Sequence, residues 1–144
     1  MFLWPVRVYY EDTDSGGVVY YANYLKFMER ARTEWLRSHG YEQDELAAGE
    51  GVIFAVRALQ IEYLRPARFN DLLLVSVELK EKRAASLRFL QQICRTGGSA
   101  PPGTNPSPGD VLCTGDVRLA CLDASTLRPR RVPEQIMTEI VCDN

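Results

Sequence analysis

Polar and apolar residues alternate at the start of the chain. Val6, Val8 and Tyr10 interleave with Arg7, Tyr9 and Glu11, the period of a half-buried strand. That run ends at Asp12-Thr13-Asp14-Ser15-Gly16-Gly17, a polar loop whose paired glycines permit unusual backbone angles and close approach of a ligand. The period then changes. Tyr24, Phe27, Met28, Ala31 and Trp35 recur at helical spacing, while Lys26, Glu29, Arg30, Arg32 and Arg37 occupy much of the remaining surface. The spacing predicts a long helix, capped by Asn23 and ended at Gly40, with its aromatic stripe in the core.

Beyond a helical turn near Asp44 to Ala48, period two returns. Leu59, Ile61 and Tyr63 alternate with Gln60 and Glu62 until Arg65-Pro66-Ala67 breaks the strand. Leu73, Val75, Val77 and Leu79 mark the next strand. Lys82 to Ala85 turns the chain into another, Ser86 to Arg95, and a last strand runs from Val111 to Leu122. Pro133 suits the first turn of a short C-terminal helix. Residues 96–110 are rich in Pro and Gly, cannot fill a core, and read as an extended, flexible hairpin loop, with a functional lid as the lesser alternative. The order is one strand, a helix and four strands. It predicts an α+β fold with a five-stranded, meander-like antiparallel sheet, in a single domain over residues 1–144. Such a sheet leaves open edges, and pairing with a second copy is a natural remedy.

Composition narrows the function classes. A chain of 144 residues with 46% hydrophobic and 25% charged residues can bury one real core. A net charge of -2 gives no reason to expect nucleic acid as partner. No apolar run suits a secretory signal or a membrane span, so the expected location is the cytoplasm. The four cysteines, Cys94, Cys113, Cys121 and Cys142, show no CxxC spacing, and the chain has one histidine. That excludes an ordinary zinc site, so no metal is expected and the thiols read as free.

The histidine, His39, sits at the predicted helix end, where it suits the helix dipole. A Ser-His-Asp or Cys-His arrangement would have to use it, far along the chain from the glycine-rich loop. Phosphate-binding glycine motifs are absent. What remains is Asp12 and Asp14 beside Gly16 and Gly17, just before a helix. A carboxylate can attack an acyl carbonyl or take a proton from water that does so. The free N–H groups of a helix start can hold the resulting oxyanion. On these residues alone a plain polar turn is the simpler reading.

The run from Val8 to Tyr24, VYYEDTDSGGVVYYANY, resembles the signature of the 4-hydroxybenzoyl-CoA thioesterase superfamily, and more narrowly its Tol–Pal-associated, YbgC-like branch. The similarity continues through Glu29 to Leu36, Val56-Arg57, Glu62-Tyr63, Pro66 to Arg68, Arg83 and Ser86. The resemblance implies a hotdog fold, a five-stranded antiparallel sheet wrapped around one long helix, and subunits paired into homodimers or homotetramers. It implies hydrolysis of acyl-CoA thioesters with Asp14 as nucleophile or general base and the Tyr21 backbone N–H as oxyanion donor. Coenzyme A is then part of the substrate, and no separate cofactor is needed. Gly16, Gly17 and Val19 match the substrate-binding part of the motif, and Phe54, Val56 and Arg57 match positions that line the acyl site from the partner chain. Among the basic residues Lys80, Lys82, Arg83 and Arg88, Arg83 with Ser86 matches the nucleotide contact. Envelope or lipid-synthesis proteins are a further partner class. The YbgC-like branch commonly has histidine where this chain has Tyr21, whereas the 4-hydroxybenzoyl-CoA branch can carry tyrosine. A phenol, with an ordinary pKa of ~10, is a poor base at neutral pH. Two rivals share the fold: a non-catalytic acyl-CoA-binding scaffold, and a dehydratase, which would usually want a catalytic histidine.

Overall fold

The computed structural model describes residues 1–96 and 108–143. Strand β1 (Phe2–Arg7) is followed by a 3-10 turn at Tyr10–Asp12, helix α1 (Asn23–Ser38) and the short helix α2 (Gln43–Glu45), which widens into a π-turn over Leu46–Glu50. Strands β2 (Val52–Tyr63), β3 (Leu72–Arg83), β4 (Ser86–Thr96) and β5 (Pro108–Asp123) follow, and helix α3 (Glu134–Glu139) closes the chain.

All five strands join one antiparallel sheet in the order β1-β3-β4-β5-β2. The expected meander therefore holds only for β3, β4 and β5. Strand β2 pairs with β5 at one edge and β1 with β3 at the other, because the loop and α1 carry the chain across the sheet before β2 begins. β1 also lies earlier than the alternation suggested. Beyond Arg7 the Val8 N–H turns to the Asp71 carbonyl, and Tyr10–Asp12 curls into its turn. Of the loop expected at 96–110, Thr96 and Pro108 to Asp110 belong to β4 and β5, and the remainder lies outside the described residues.

Helix α1 spans sixteen residues and packs on β1, β3 and β4. Its stripe of Tyr24, Phe27, Met28, Ala31 and Trp35 is buried as the period required, and each large apolar side chain removed from water contributes ~2 kcal/mol. A glycine admits the helix closely. A Cβ on Gly115 of β5 would stand 2.8 Å from the Met28 Sδ. At the far end His39 takes the expected place, its Nδ1 lying 2.9 Å from the Trp35 carbonyl. Two expectations fail here. Asn23 is the first helical residue and makes no cap bond to the backbone, its amide being drawn to Asp12. Arg32 is buried, not solvated, because Gln91 on β4 accepts its guanidinium.

Cys94, Cys113 and Cys121 are buried and Cys142 half-buried, all as free thiols. Burial pushes the Cys113 thiol up to about 12. Among the described residues no helix is long and apolar enough to cross a membrane.

Candidate active site

The polar loop between β1 and α1 is built on a division of labour between its two aspartates. Asp12 is buried, 7% exposed. Its Oδ2 accepts the Tyr9 N–H at 2.9 Å and its Oδ1 accepts the Asn23 side-chain amide at 3.0 Å. Its carbonyl accepts the Tyr20 N–H. Asp12 thereby ties the strand exit to the first residue of α1, and this carboxylate is structural. Asp14 is exposed. Its N–H donates to the Val18 carbonyl and its own carbonyl accepts the Gly17 N–H, which closes a tight turn. Gly17 takes a φ of +77°, a conformation in which glycine is favoured. The Gly16 N–H donates to Asp14 Oδ1 at 2.8 Å, fixing the carboxylate, and leaves Oδ2 uncommitted among the described residues.

The loop is held against the segment between β2 and β3. The Val19 N–H donates to the Ala67 carbonyl, the Ala67 N–H donates to the buried Tyr24 hydroxyl at 2.9 Å, and the Tyr10 ring stacks on Phe69 with centroids 3.9 Å apart. Val19, expected at the ligand, is buried in the core beneath the loop.

At the helix start the Tyr20 carbonyl accepts the Asn23 N–H, and the Tyr21 carbonyl accepts the Tyr63 hydroxyl at 2.9 Å. Each of these bonds polarises its peptide unit, so the Tyr21 and Ala22 N–H groups gain positive character. Among the described residues the Tyr21 N–H donates to no acceptor. Partial burial pushes the Tyr63 phenol above its ordinary range. The Tyr21 ring is exposed, edge-on to Tyr63. Tyr63 lay within the matching motif, but its bond to Tyr21 joins residues far apart in the chain and has no local signal.

The other expected residues fall in two further places. Phe54 and Val56 line a groove between α1 and β2, whose two adjoining cavities have volumes of 110 Å³ and 350 Å³. Neither Asp14 nor Tyr21 lines that groove. Arg57 sits at the bulge that interrupts the β2–β5 register and is exposed. Arg83 and Ser86 face each other at the end of the β3–β4 hairpin. The four basic residues there do not form a free cluster. Lys80 pairs with Glu78, Arg83 with Glu81 and Arg88 with Asp116, while the Lys82 Nζ donates to the carbonyls of Met137 and Ile140. Arg83 still opens onto a cleft with Arg130 and Arg131. The adjacent pair Arg130-Arg131 was the sequence signal for that cleft.

The thioesterase-like superfamily matches residues 8–140. The acyl-CoA thioester hydrolase YbgC of Escherichia coli O6:H1 is 43% identical over 96% of this chain and 95% of its own. The acyl-CoA thioesterase YbgC of Haemophilus influenzae is 39% identical over 94% and 90%. Among solved structures, a probable thioesterase from Bartonella henselae superposes with a TM-score of 0.79 at 35% identity, covering 91% of this chain and 98% of that one. A 1,4-dihydroxy-2-naphthoyl-CoA thioesterase from Synechocystis superposes with a TM-score of 0.81 over 96% of this chain and 94% of that one; at 21% identity this is a likeness of fold.

Proposed function

Because the chain belongs to the thioesterase-like superfamily, on its YbgC-like branch, we propose that it hydrolyses acyl-CoA thioesters to a free carboxylic acid and coenzyme A. The observation that carries this reading is Asp14, exposed with one carboxylate oxygen held by Gly16 and the other uncommitted, in the loop that leads into α1. Asp14 attacks the thioester carbonyl or takes a proton from the water that does. The N–H of Tyr21, on a peptide unit whose carbonyl accepts a bond from Asn23, holds the oxyanion. The carbon–sulfur bond then breaks, and coenzyme A leaves as the thiolate. In the nucleophilic route, water afterwards cleaves the Asp14 anhydride. A single turnover in heavy-oxygen water separates the routes, since label enters Asp14 only through the anhydride. Neither route calls for a separate cofactor.

In this reading residues 1–144 form one hotdog domain with α1 as the helix the sheet wraps. Edge strand β2 leaves Val56 52% and Leu59 39% exposed, which supports pairing with a second copy into a homodimer, and dimers into a tetramer. The partner would then bring Phe54, Val56 and Arg57 toward Asp14. Arg83, with Ser86, faces the coenzyme A phosphates. A cytoplasmic location, and contact with envelope or lipid-synthesis proteins, belong to the same reading.

Asp14→Asn tests it. Hydrolysis, followed by release of the free thiol, should fall by about 10²-fold or more, with unfolding unchanged. Full activity in that variant would remove Asp14 from the mechanism. Tight acyl-CoA binding by the wild type without thiol release would favour the non-catalytic scaffold.

A further inference from the structure

Arg32 is a guanidinium set inside the molecule without a carboxylate. It is 9% exposed, and its Nη1 donates to Gln91 Oε1 at 2.9 Å. The amide of Gln91 is itself fixed, its Nε2 donating to the carbonyls of Met28 and Ser76. Arg37, Arg65, Arg83, Arg88, Arg95, Arg118 and Arg130 each stand within 4 Å of an acidic oxygen, whereas Arg32 does not, among the described residues. A guanidinium has five N–H donors, and the protein engages Arg32 through one nitrogen. No fully buried side-chain nitrogen or oxygen among the described residues lacks a partner. The unused donors of Arg32 therefore retain access to space. That space is the groove, because Arg32 lines both of its cavities.

The walls of the groove are otherwise largely apolar, with Trp35, Phe54, Phe89 and Leu119 on one side of Arg32 and Met28 and Val117 on the other. Glu29 and Lys26 are the remaining charged lining residues. Both are exposed, and Glu29 accepts a bond from the Thr33 hydroxyl. Desolvation is the main influence on Arg32 and holds the group below the ordinary arginine range, while the exposed Glu29 carboxylate opposes it from the groove mouth without bonding to the guanidinium. The desolvated part of the groove thus carries one positive group with spare donors, and the groove as a whole carries an excess positive charge.

We propose that this groove receives the acyl portion of the thioester, and that Arg32 selects acyl groups ending in a second carboxylate, the monothioesters of dicarboxylic acids. A carboxylate accepts two parallel N–H bonds from a guanidinium, and apolar walls strengthen that pairing relative to water. A methyl terminus in its place leaves the spare donors of the guanidinium without an acceptor in the groove. The proposal rests on the thioesterase reading above and adds the substrate class.

The experiment compares kcat/KM for two pairs of equal chain length, glutaryl-CoA with pentanoyl-CoA and adipyl-CoA with hexanoyl-CoA, in the wild type, Arg32→Met and Arg32→Lys. The wild type should favour the dicarboxylic member of at least one pair by about tenfold or more. Arg32→Met should bring that ratio near one, and Arg32→Lys should retain part of it. A purely structural Arg32 would lower both members alike and leave the ratio intact, which overturns the proposal. Wild-type protein that cleaves each pair equally also overturns it while the thioesterase reading stands. Protein that cleaves none of the four overturns the proposal, and the thioesterase reading falls with it only if palmitoyl-CoA and benzoyl-CoA are also left uncleaved. Should Arg32→Met fail to fold, inhibition of the wild type by adipate against hexanoate decides: stronger inhibition by adipate is expected, and equal inhibition refutes the assignment.

Discussion

Replacing Asp12 by alanine isolates what holds the candidate site together. The substitution removes the acceptor of two hydrogen bonds, from the Tyr9 N–H and from the Asn23 amide. These donors do not lose equally. Tyr9 is exposed and its N–H can turn to water, whereas Asn23 is buried and its amide loses its partner inside the protein. A bond to a charged group contributes ~1.5–3 kcal/mol and a stranded buried donor costs ~1–3 kcal/mol, so Asp12→Ala should destabilise by about 3 kcal/mol. At ~2.1 cal/mol/K per residue, a chain of 144 residues unfolds with an entropy near ~0.3 kcal/mol/K, and Tm should fall by about 10 °C. Asp12→Asn should cost only about 1 kcal/mol, because its oxygen can still accept the Tyr9 N–H and its amide can face a flipped Asn23. Urea unfolding followed by tryptophan fluorescence measures both variants. In the double mutant with Asn23→Ala, the two losses should overlap by about 1 kcal/mol or more. If Asp12→Ala loses less than ~0.5 kcal/mol, or if Asp12→Asn is as damaging as alanine, the carboxylate is not the tie described.

Two further outcomes follow from single bonds. Tyr63→Phe removes the donor to the Tyr21 carbonyl and should lower kcat of acyl-CoA hydrolysis about three- to tenfold with little change in KM; an unaltered kcat would show that this bond does not orient the helix start. Arg88 donates to both oxygens of Asp116 at 3.0 and 2.7 Å and holds that carboxyl below its ordinary range. A depressed folded-state value contributes stability above the unfolded pKa of ~3.9, lost as pH falls through the folded value. Arg88→Met should therefore destabilise at neutral pH and progressively less below pH ~4, as denaturant midpoints across that range will show.

Much of the architecture was legible because it is written locally. Leu73, Val75, Val77 and Leu79 declare β3 by their alternation, and the stripe from Tyr24 to Trp35 declares α1 by its period. Asp14, Gly16 and Gly17 declare a tight turn by composition. What escaped depends on partners distant in the chain. Arg32 looks like one more solvated charge on a helix, and only Gln91 on β4 makes it a buried one. Asn23 looks like a cap until Asp12 takes its amide. The place of β2 beyond β5 is a choice among edges that no period encodes, and the groove it forms with α1 was hidden for the same reason. Val8 and Tyr10 continue an alternation past the end of β1, since periodicity cannot register that Asp12 has bent the backbone.

The strand order carries a consequence for how the molecule comes together. Strands β3, β4 and β5 each pair with a chain neighbour, while β1 must find β3, and β2 must find β5, across long stretches of intervening chain. Closing such loops costs entropy before contacts repay it, so the two edges join a central three-stranded unit late in folding. Residues 8–51, with Asp14 and Tyr21 among them, form the bridge between those edges. Within the bridge α1 is anchored by its packing on β1, β3 and β4, so its loop, from Val8 to Ala22, is the part whose shape depends most on the docking of β1. Native-state hydrogen exchange should therefore find the loop amides around Asp14 opening more readily than those of β3, β4 and β5.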